Sequence, residues 1–405
     1  MASGAAAESA DSTVLRALMV MFAANGFVYA SFIPRLAEVR DSSGLSTSGL
    51  GLVLTLGSFA ALVASFFPGQ MVAFLGSRRI VVVGGVCYAL ALPAIGFAGS
   101  ASVLVIALVV LAVSDVFVDV ALNLQASTVS ARRPRPVMSR LHGLWSIGTL
   151  TGGAAAACAA QIGVPVSLHY AGVAALVVTA VVLGGRHLLL VDEPHPDQQP
   201  AAQGPDLSTG GRWRAVFGPG VLLLVLANAM AETVETTTGE WSGIRLHDDL
   251  QVGPCTAAAA FVLFTGGMAL GRFFGDHVTA RLGNSRTARS FLLAALAGVL
   301  LTTLATTPTA TLTGVILVGL GASVMSPLLA DAAARAPGRP GAGFTALFIG
   351  HRAAGLYVPT TVGLLATSST LIVGDAMALV MLPSLVVLAL VAGRVLNPPR
   401  RRPPT

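Results

Sequence analysis

Lysine is absent from this chain, so all 24 basic residues are arginine, and charged residues of both signs fill only 10% of the 405 positions. A water-soluble domain carries about 25%. A soluble enzyme or a nucleic-acid-binding domain is therefore not expected, despite a net charge of +6. Cysteine is scarce: Cys87, Cys158 and Cys255 are odd in number and follow no metal-ligand spacing. They read as small apolar residues, so no metal and no cofactor is expected. A phosphate-cradling glycine loop and a Ser/His/Asp order are also missing, which argues against direct use of ATP and against an enzyme. The N-terminal MASGAAAESADS has no basic segment before its apolar run, so it reads as the start of an uncleaved first helix.

What fills the chain is apolar sequence. Twelve such stretches cover 14–34, 47–68, 79–99, 102–128, 137–161, 165–189, 216–244, 255–275, 289–306, 309–332, 343–366 and 371–394. About 20 apolar residues in a helix cross a hydrocarbon core of roughly 30 Å. The fold class is an all-α polytopic membrane protein, with 12 transmembrane helices in two six-helix bundles. Residues 1–13 form an N-terminal tail, 14–190 the first bundle and 216–396 the second. Between them 191–215, rich in Pro, Gln, Gly and Asp, reads as a flexible linker, and 397–405 as a basic, proline-broken tail. The arginines gather on one side of the spans, with only Arg35, Arg40 and Arg245 on the other. Basic loops stay inside, so both termini are expected in the cytoplasm of a bacterial inner (cell) membrane, with the arginines against lipid headgroups. A monomer is expected.

Function should reside in the ionisable groups these spans keep, each costing about 2.5–3.5 kcal/mol to insert. Asp115, Asp119 and Asn123 recur at i, i+4 and i+8 in the fourth span, hence on one helical face. Two carboxylates one turn apart repel, which suits one of them to carry a proton. A structural pair bonded to neighbouring helices is the alternative. Glu232 and Glu235 share a face of the seventh span, with Glu240-Trp241 nearer its outer end. Glu232 joins Asp115 and Asp119 as a proton-coupling candidate. His142 opens the fifth span at a depth where it could meet Asp119, and Trp145 follows one turn on. Asn123, His142, Trp145, Glu235, His351 and Arg352 are the substrate-binding candidates. An imidazole donates to carboxylates or hydroxyls, an indole stacks on rings, and a guanidinium grips anions. Packing, or a satisfied interhelical histidine, competes with each of these roles.

The halves repeat weakly. PGQMVAFLGSRR (68–79) follows the second span and GRFFGDHVTARLGNSR (271–286) the eighth. These loops resemble the major facilitator superfamily signature Gly-x-x-x-Asp-Arg-x-Gly-x-Arg-Arg. Gly69, Gly76, Arg78 and Arg79 match in the first half, and Arg281 and Gly283 in the second. Ala73 and Ala280 stand where the acid belongs, with Asp276 a turn earlier. The resemblance implies a gating loop built on Gly69, Gly76, Arg78, Arg79, Arg272, Asp276 and Arg281. Asp119-Val-Ala-Leu-Asn123, Leu141-His-Gly-Leu-Trp-Ser-Ile-Gly148 and Gly271-Arg-Phe-Phe-Gly275 resemble the fucose-permease-like branch. That branch has an acid in its first helix, where this chain has Ala30. Gly148-Thr-Leu-Thr-Gly152-Gly153 is a degenerate form of the glycine pattern of proton-coupled drug exporters, or simply a close helix contact.

The resemblance implies a secondary active transporter with a site at mid-membrane between repeated halves. It would move a small polar or amphipathic solute by alternating access, coupled to H⁺. The glycine pattern and the missing first-helix acid lean towards efflux of a metabolite or drug. A proton symporter importing a sugar-like nutrient is the alternative. A non-transporting membrane sensor, or a membrane-embedded enzyme, would need a signalling domain or one-sided paired acids that the sequence does not offer.

Overall fold

Capping residues and glycines set the helix limits. In the computed structural model, Ser46 Oγ accepts from Gly49 N at 3.1 Å, and Ser100 Oγ accepts from Val103 N at 3.4 Å. These bonds satisfy donors that a helix start leaves open. The described residues are 2–133, 137–190, 219–334, 342–367 and 370–396. The expected linker 191–215 and basic tail 397–405 lie outside them. Helices α1 (Ala2–Phe32), α2 (Leu36–Ser42), α3 (Thr47–Ala64), α4 (Pro68–Leu75), α5 (Ser77–Gly96), α6 (Ala101–Ala131), α7 (Met138–Gln161) and α8 (Val166–Gly185) form the first set. The second set is α9 (Pro219–Asp248), α10 (Pro254–Leu282), α11 (Asn284–Leu304), α12 (Pro308–Ala322), α13 (Met325–Ala334), α14 (Ala342–Ala366) and α15 (Val373–Leu396). A 3₁₀ turn, Ile33–Arg35, joins α1 to α2.

Ten helical stretches among the described residues are long and apolar enough to cross a membrane. The spans expected at 137–161 and 343–366 are present as α7 and α14, with 24 and 25 residues. At about 1.5 Å per residue each is long enough to cross. Each carries polar residues within its length, Arg140 and His142 in one and His351 and Arg352 in the other. Helix α1 begins at Ala2, well before the apolar run expected from residue 14. Alanine is the strongest helix former, and the leader is alanine-rich.

Two units emerge: residues 1–204 with 253–262, and 205–252 with 263–405. Each repeats one packing scheme. In the first, α1 lies on α7, α5 on α6 and α8, and α3 on α6. In the second, α9 lies on α14, α11 on α12 and α15, and α9 also on α15. Close approach in both relies on glycine. A Cβ on Gly148 would stand 2.0 Å from Ala23 O and one on Gly152 2.5 Å from Phe27 O, so these two fit α7 against α1. Gly350 does the same for α14 against Val225 O, at 2.6 Å. The loop glycines have a different cause. Gly76 and Gly283 adopt φ of 79° and 77°, a left-handed turn that stops one helix and starts the next in both halves.

The three arginines expected outside are buried. Arg35 donates to both oxygens of Glu38 and to Val164 O at 2.9 Å. Arg40 donates to Asp41 at 2.9 Å and to Thr47 Oγ1. Arg245, only 2% exposed, donates to Thr303 O and Ala305 O, each at 2.8 Å, and to Thr311 Oγ1 at 2.9 Å. Its Nε lies 3.8 Å from Asp249, whose carboxylate accepts from Val373 N and Gly374 N at 3.1 and 2.8 Å. Guanidinium groups thus satisfy carbonyls at or beyond the ends of α7 and α11, where a helix leaves acceptors open.

Candidate functional site

Each unit holds one cluster of polar side chains at mid-span. In the first unit the hub is Asn25 of α1, a residue the sequence reading passed over. Its amide nitrogen donates to Asp115 Oδ1 at 3.1 Å, and its Oδ1 accepts from Trp145 Nε1 at 2.9 Å. The buried Tyr88 of α5 hydrogen-bonds Asp115 through its hydroxyl. Asp115 is therefore held by groups from two other helices, and Trp145 is tied by its ring nitrogen. One turn on, Asn123 Nδ2 donates to Asp119 Oδ1 at 3.0 Å and to Asp119 O at 2.9 Å, as i, i+4 spacing requires. Asp119 is exposed within this unit, whereas Asp115 is half-buried. His142 does not pair with Asp119. It sets its ring edge-on to Phe22, with centroids 5.5 Å apart. Thr149, in the proline position of the exporter pattern, bonds back to Trp145 O at 3.0 Å.

In the second unit α9 and α14 make the corresponding cluster. Glu232 Oε2 and His351 Nδ1 are 2.8 Å apart. Glu235, on the same face, takes a long contact of 3.5 Å from Ser326 Oγ of α13, and Arg272 lies within its electrostatic reach. Arg352 places its guanidinium 5.3 Å from the centre of the Phe348 ring, a cation–π distance. Below the acids Asn228 Nδ2 donates to Leu347 O at 2.8 Å, and Thr233 pairs with the Tyr357 hydroxyl. Asn228 occupies in α9 the place that Asn25 occupies in α1, and each fastens its helix to the partner packed on it.

Of the loop residues, Arg272 reaches the second cluster through Glu235. Gly69, Arg79, Arg272 and Arg281 are exposed, Gly76 and Arg78 half-buried, and the Asp276 side chain lies outside the described ones. Behind the first loop, the buried Gln125 donates to Ser77 Oγ at 2.6 Å and to Leu189 O at 3.0 Å, and accepts from Leu189 N at 2.9 Å. This amide fixes the turn at Gly76 against the end of α8. Among the described residues no cluster of three or more His, Cys, Asp or Glu could hold a metal ion.

Asn25, Tyr88 and Asn228 had a signal in the sequence that was not used. An amide or a phenol inside an apolar run carries a hydrogen-bonding group that lipid cannot satisfy. The arrangement can hold carboxylates in lipid, exchange protons and present hydrogen-bonding groups to a polar solute. It contains no nucleophile–base pairing suited to catalysis among the described side chains.

Comparison with known proteins agrees in kind. The chain is 29% identical over 364 residues to an uncharacterised transporter, y4wD, of Sinorhizobium fredii (strain NBRC 101917 / NGR234), covering 89% of this chain and 93% of that protein. It is 31% identical over 305 residues to an uncharacterised transporter of the same superfamily, YhhS, of Shigella flexneri, covering 74% and 71%. The membrane protein MosC of Rhizobium meliloti is 24% identical over 324 residues, covering 79% and 75%. Among solved structures, the nucleoside transporter NupG superposes with a TM-score of 0.73 at 13% identity, covering 94% of this chain and 98% of that one. A bacterial homologue of the human lysosomal transporter Spinster, inward-facing and unoccupied, gives 0.70 at 15%, covering 96% of both. At such identities these two speak for the fold. The family pattern described as Major Facilitator Superfamily matches residues 18–359. The chain is a multi-pass membrane transporter and belongs to the Major Facilitator Superfamily.

Proposed function

We propose that this transporter is proton-coupled and moves a small polar or amphipathic solute across the bacterial cytoplasmic membrane by alternating access, with both termini inside. The supporting observation is that each unit keeps an acid in its spans and brings neutral or titratable donors to it. Asp115 has Asn25 and Tyr88, and Glu232 has His351. An acid locked to a guanidinium holds its charge. An acid held by amide, phenol or imidazole can be discharged by a proton without stranding a permanent cation. In this reading Asp115 or Asp119 carries the proton and Glu232 responds to it. Asn123, His142, Trp145, Glu235, His351 and Arg352 supply contacts to the solute, and the chain acts as a monomer.

Export of a metabolite or drug draws on the missing first-helix acid and on the glycine pattern of α7. Gly148 and Gly152 are accounted for by the approach of α7 to α1. The second reading, import of a sugar-like nutrient, draws on the exposed Asp119–Asn123 pair, whose carboxylate and amide suit hydroxyl groups. Solute flux into proteoliposomes with and without a pH gradient, in both orientations of the gradient, tests coupling and direction together. Flux indifferent to the gradient contradicts proton coupling. Asp119→Asn with unchanged pH dependence removes Asp119 from the coupling role.

A further inference from the structure

One acid of α9 is used by neither cluster. Thr237, Glu240 and Trp241 stand at i, i+3 and i+4 and so form a contiguous patch on one helical face. Thr237 Oγ1, Glu240 Oε2 and Trp241 Nε1 are all buried with no hydrogen-bond partner among the described residues. Thr237 and Trp241 are fully enclosed, each 0% exposed. Leaving one buried polar group unpaired costs about 1–3 kcal/mol. Three side by side mark a place built for an occupant. The set is complementary: an indole N–H only donates, a carboxylate only accepts, and a hydroxyl does both. Internal waters characteristically take about three bonds from such groups.

Among the described residues no cation pairs with Glu240. Helix α12 has no titratable residue. Helix α14 contributes Tyr357, engaged with Thr233, His351, engaged with Glu232, and Arg352, over Phe348. Helix α13 offers Asp331, and α15 offers Asp375 and Arg394 near its two ends. Helix α10 approaches Gly239 through Phe264, and its first cation is Arg272, two turns further on. On α9 itself Arg245 is taken by Thr303, Ala305, Thr311 and Asp249, and Glu235 faces Ser326. An ionised carboxylate without a counter-charge in a dry interior is far costlier than the neutral acid.

We propose that Thr237, Glu240 and Trp241 form a proton-binding site, completed by an internal water, that loads and unloads separately from the Glu232–His351 pair. The inference does not depend on the solute or on the direction of transport. Trp241 makes it measurable, since the chain has only two other tryptophans, Trp145 and Trp213. In the Trp145→Phe/Trp213→Phe chain, reconstituted in lipid, Trp241 emission should change with pH in a single one-proton step. Adding Glu240→Gln should abolish that step. A signal flat from pH 5 to 10, or a step that survives Glu240→Gln, overturns the proposal. Should the double phenylalanine chain fail to fold, infrared difference spectra of the natural chain and Glu240→Gln decide it. A neutral carboxylic acid band lost in the variant supports the site, and identical spectra overturn it.

Discussion

Asn25 reaches Asp115 across 90 residues of sequence, amide nitrogen to carboxylate oxygen at 3.1 Å. The same amide receives Trp145, so one side chain joins the first, fourth and fifth spans. Replacing it with leucine keeps the branched shape and removes both bonds. The loss should be about 1–3 kcal/mol, because a half-buried carboxylate and an indole each lose a partner. Thermal unfolding in detergent micelles reads this directly. An unchanged midpoint would show that Asp115 is held adequately without Asn25.

Glu232 and His351 should couple measurably but weakly. His351 is 55% exposed at its side chain, so water screens the pair. A double-mutant cycle with Glu232→Gln and His351→Gln should give about 0.5–1 kcal/mol in unfolding free energy. Strict additivity of the two single variants would mean that the 2.8 Å contact contributes nothing to stability.

Two glycines of α7 should respond with opposite sign. A methyl group at Gly148 meets backbone at 2.0 Å, so Gly148→Ala must push α1 away and should cost about 1–3 kcal/mol. Gly143, in the same helix, has nothing within 4 Å of its added Cβ. Gly143→Ala should instead stabilise by up to about 1 kcal/mol through helix propensity. Matched unfolding curves for the two variants separate close approach from helix formation.

Asp249, just past the end of α9, gives a pH dependence with a defined sign. Burial pushes its carboxyl above the ordinary value, against the pull of the Gly374 and Val373 N–H groups and of Arg245. The native chain therefore binds this proton more readily than the unfolded chain does. The contribution is fully present below the unfolded carboxyl value of about 3.9 and fades as pH rises through the higher native value. Relative to Asp249→Asn, the unmodified chain should lose ground from pH 4 upward. A difference that grows with pH in the other direction would mean that the N–H donors outweigh burial.

Arg245→Met tests the same junction from its other side. It leaves Thr303 O and Ala305 O without their donor and strips Asp249 of its cation. A loss of about 3–5 kcal/mol is expected, as for a buried pair deprived of one partner. Hydrogen exchange should locate that loss at the end of α11 and the start of α15.

Much of this architecture was legible because a bilayer demands it. Runs of about 20 apolar residues have few alternatives in lipid, so the spans could be marked from the sequence. The Asp119–Asn123 bond was legible for a local reason, since helical periodicity alone places i and i+4 together. Glu232–His351 and Asn25–Asp115 were not, because each joins helices far apart in sequence whose rotation is set by packing at Gly350 or Gly148. His142 shows the limit from the other side. Depth suggested Asp119 as its partner, but helix rotation turned the ring to Phe22. Arg35 and Arg245 misled because a loop-proximal arginine ordinarily points to water. Here open carbonyls at helix ends draw it inward.

That inward turn changes the electrical character of each unit's surface by itself. Arg35, Arg40 and Arg245 are sequestered, while Asp41 remains 47% exposed and Glu38 and Asp248 are partly so. In the first unit Glu38 and Asp41 thus stand outermost, each over the guanidinium it is paired with. Within a screening distance of about 8 Å at physiological salt, such a pair acts as a dipole with its negative end outward rather than as a free charge.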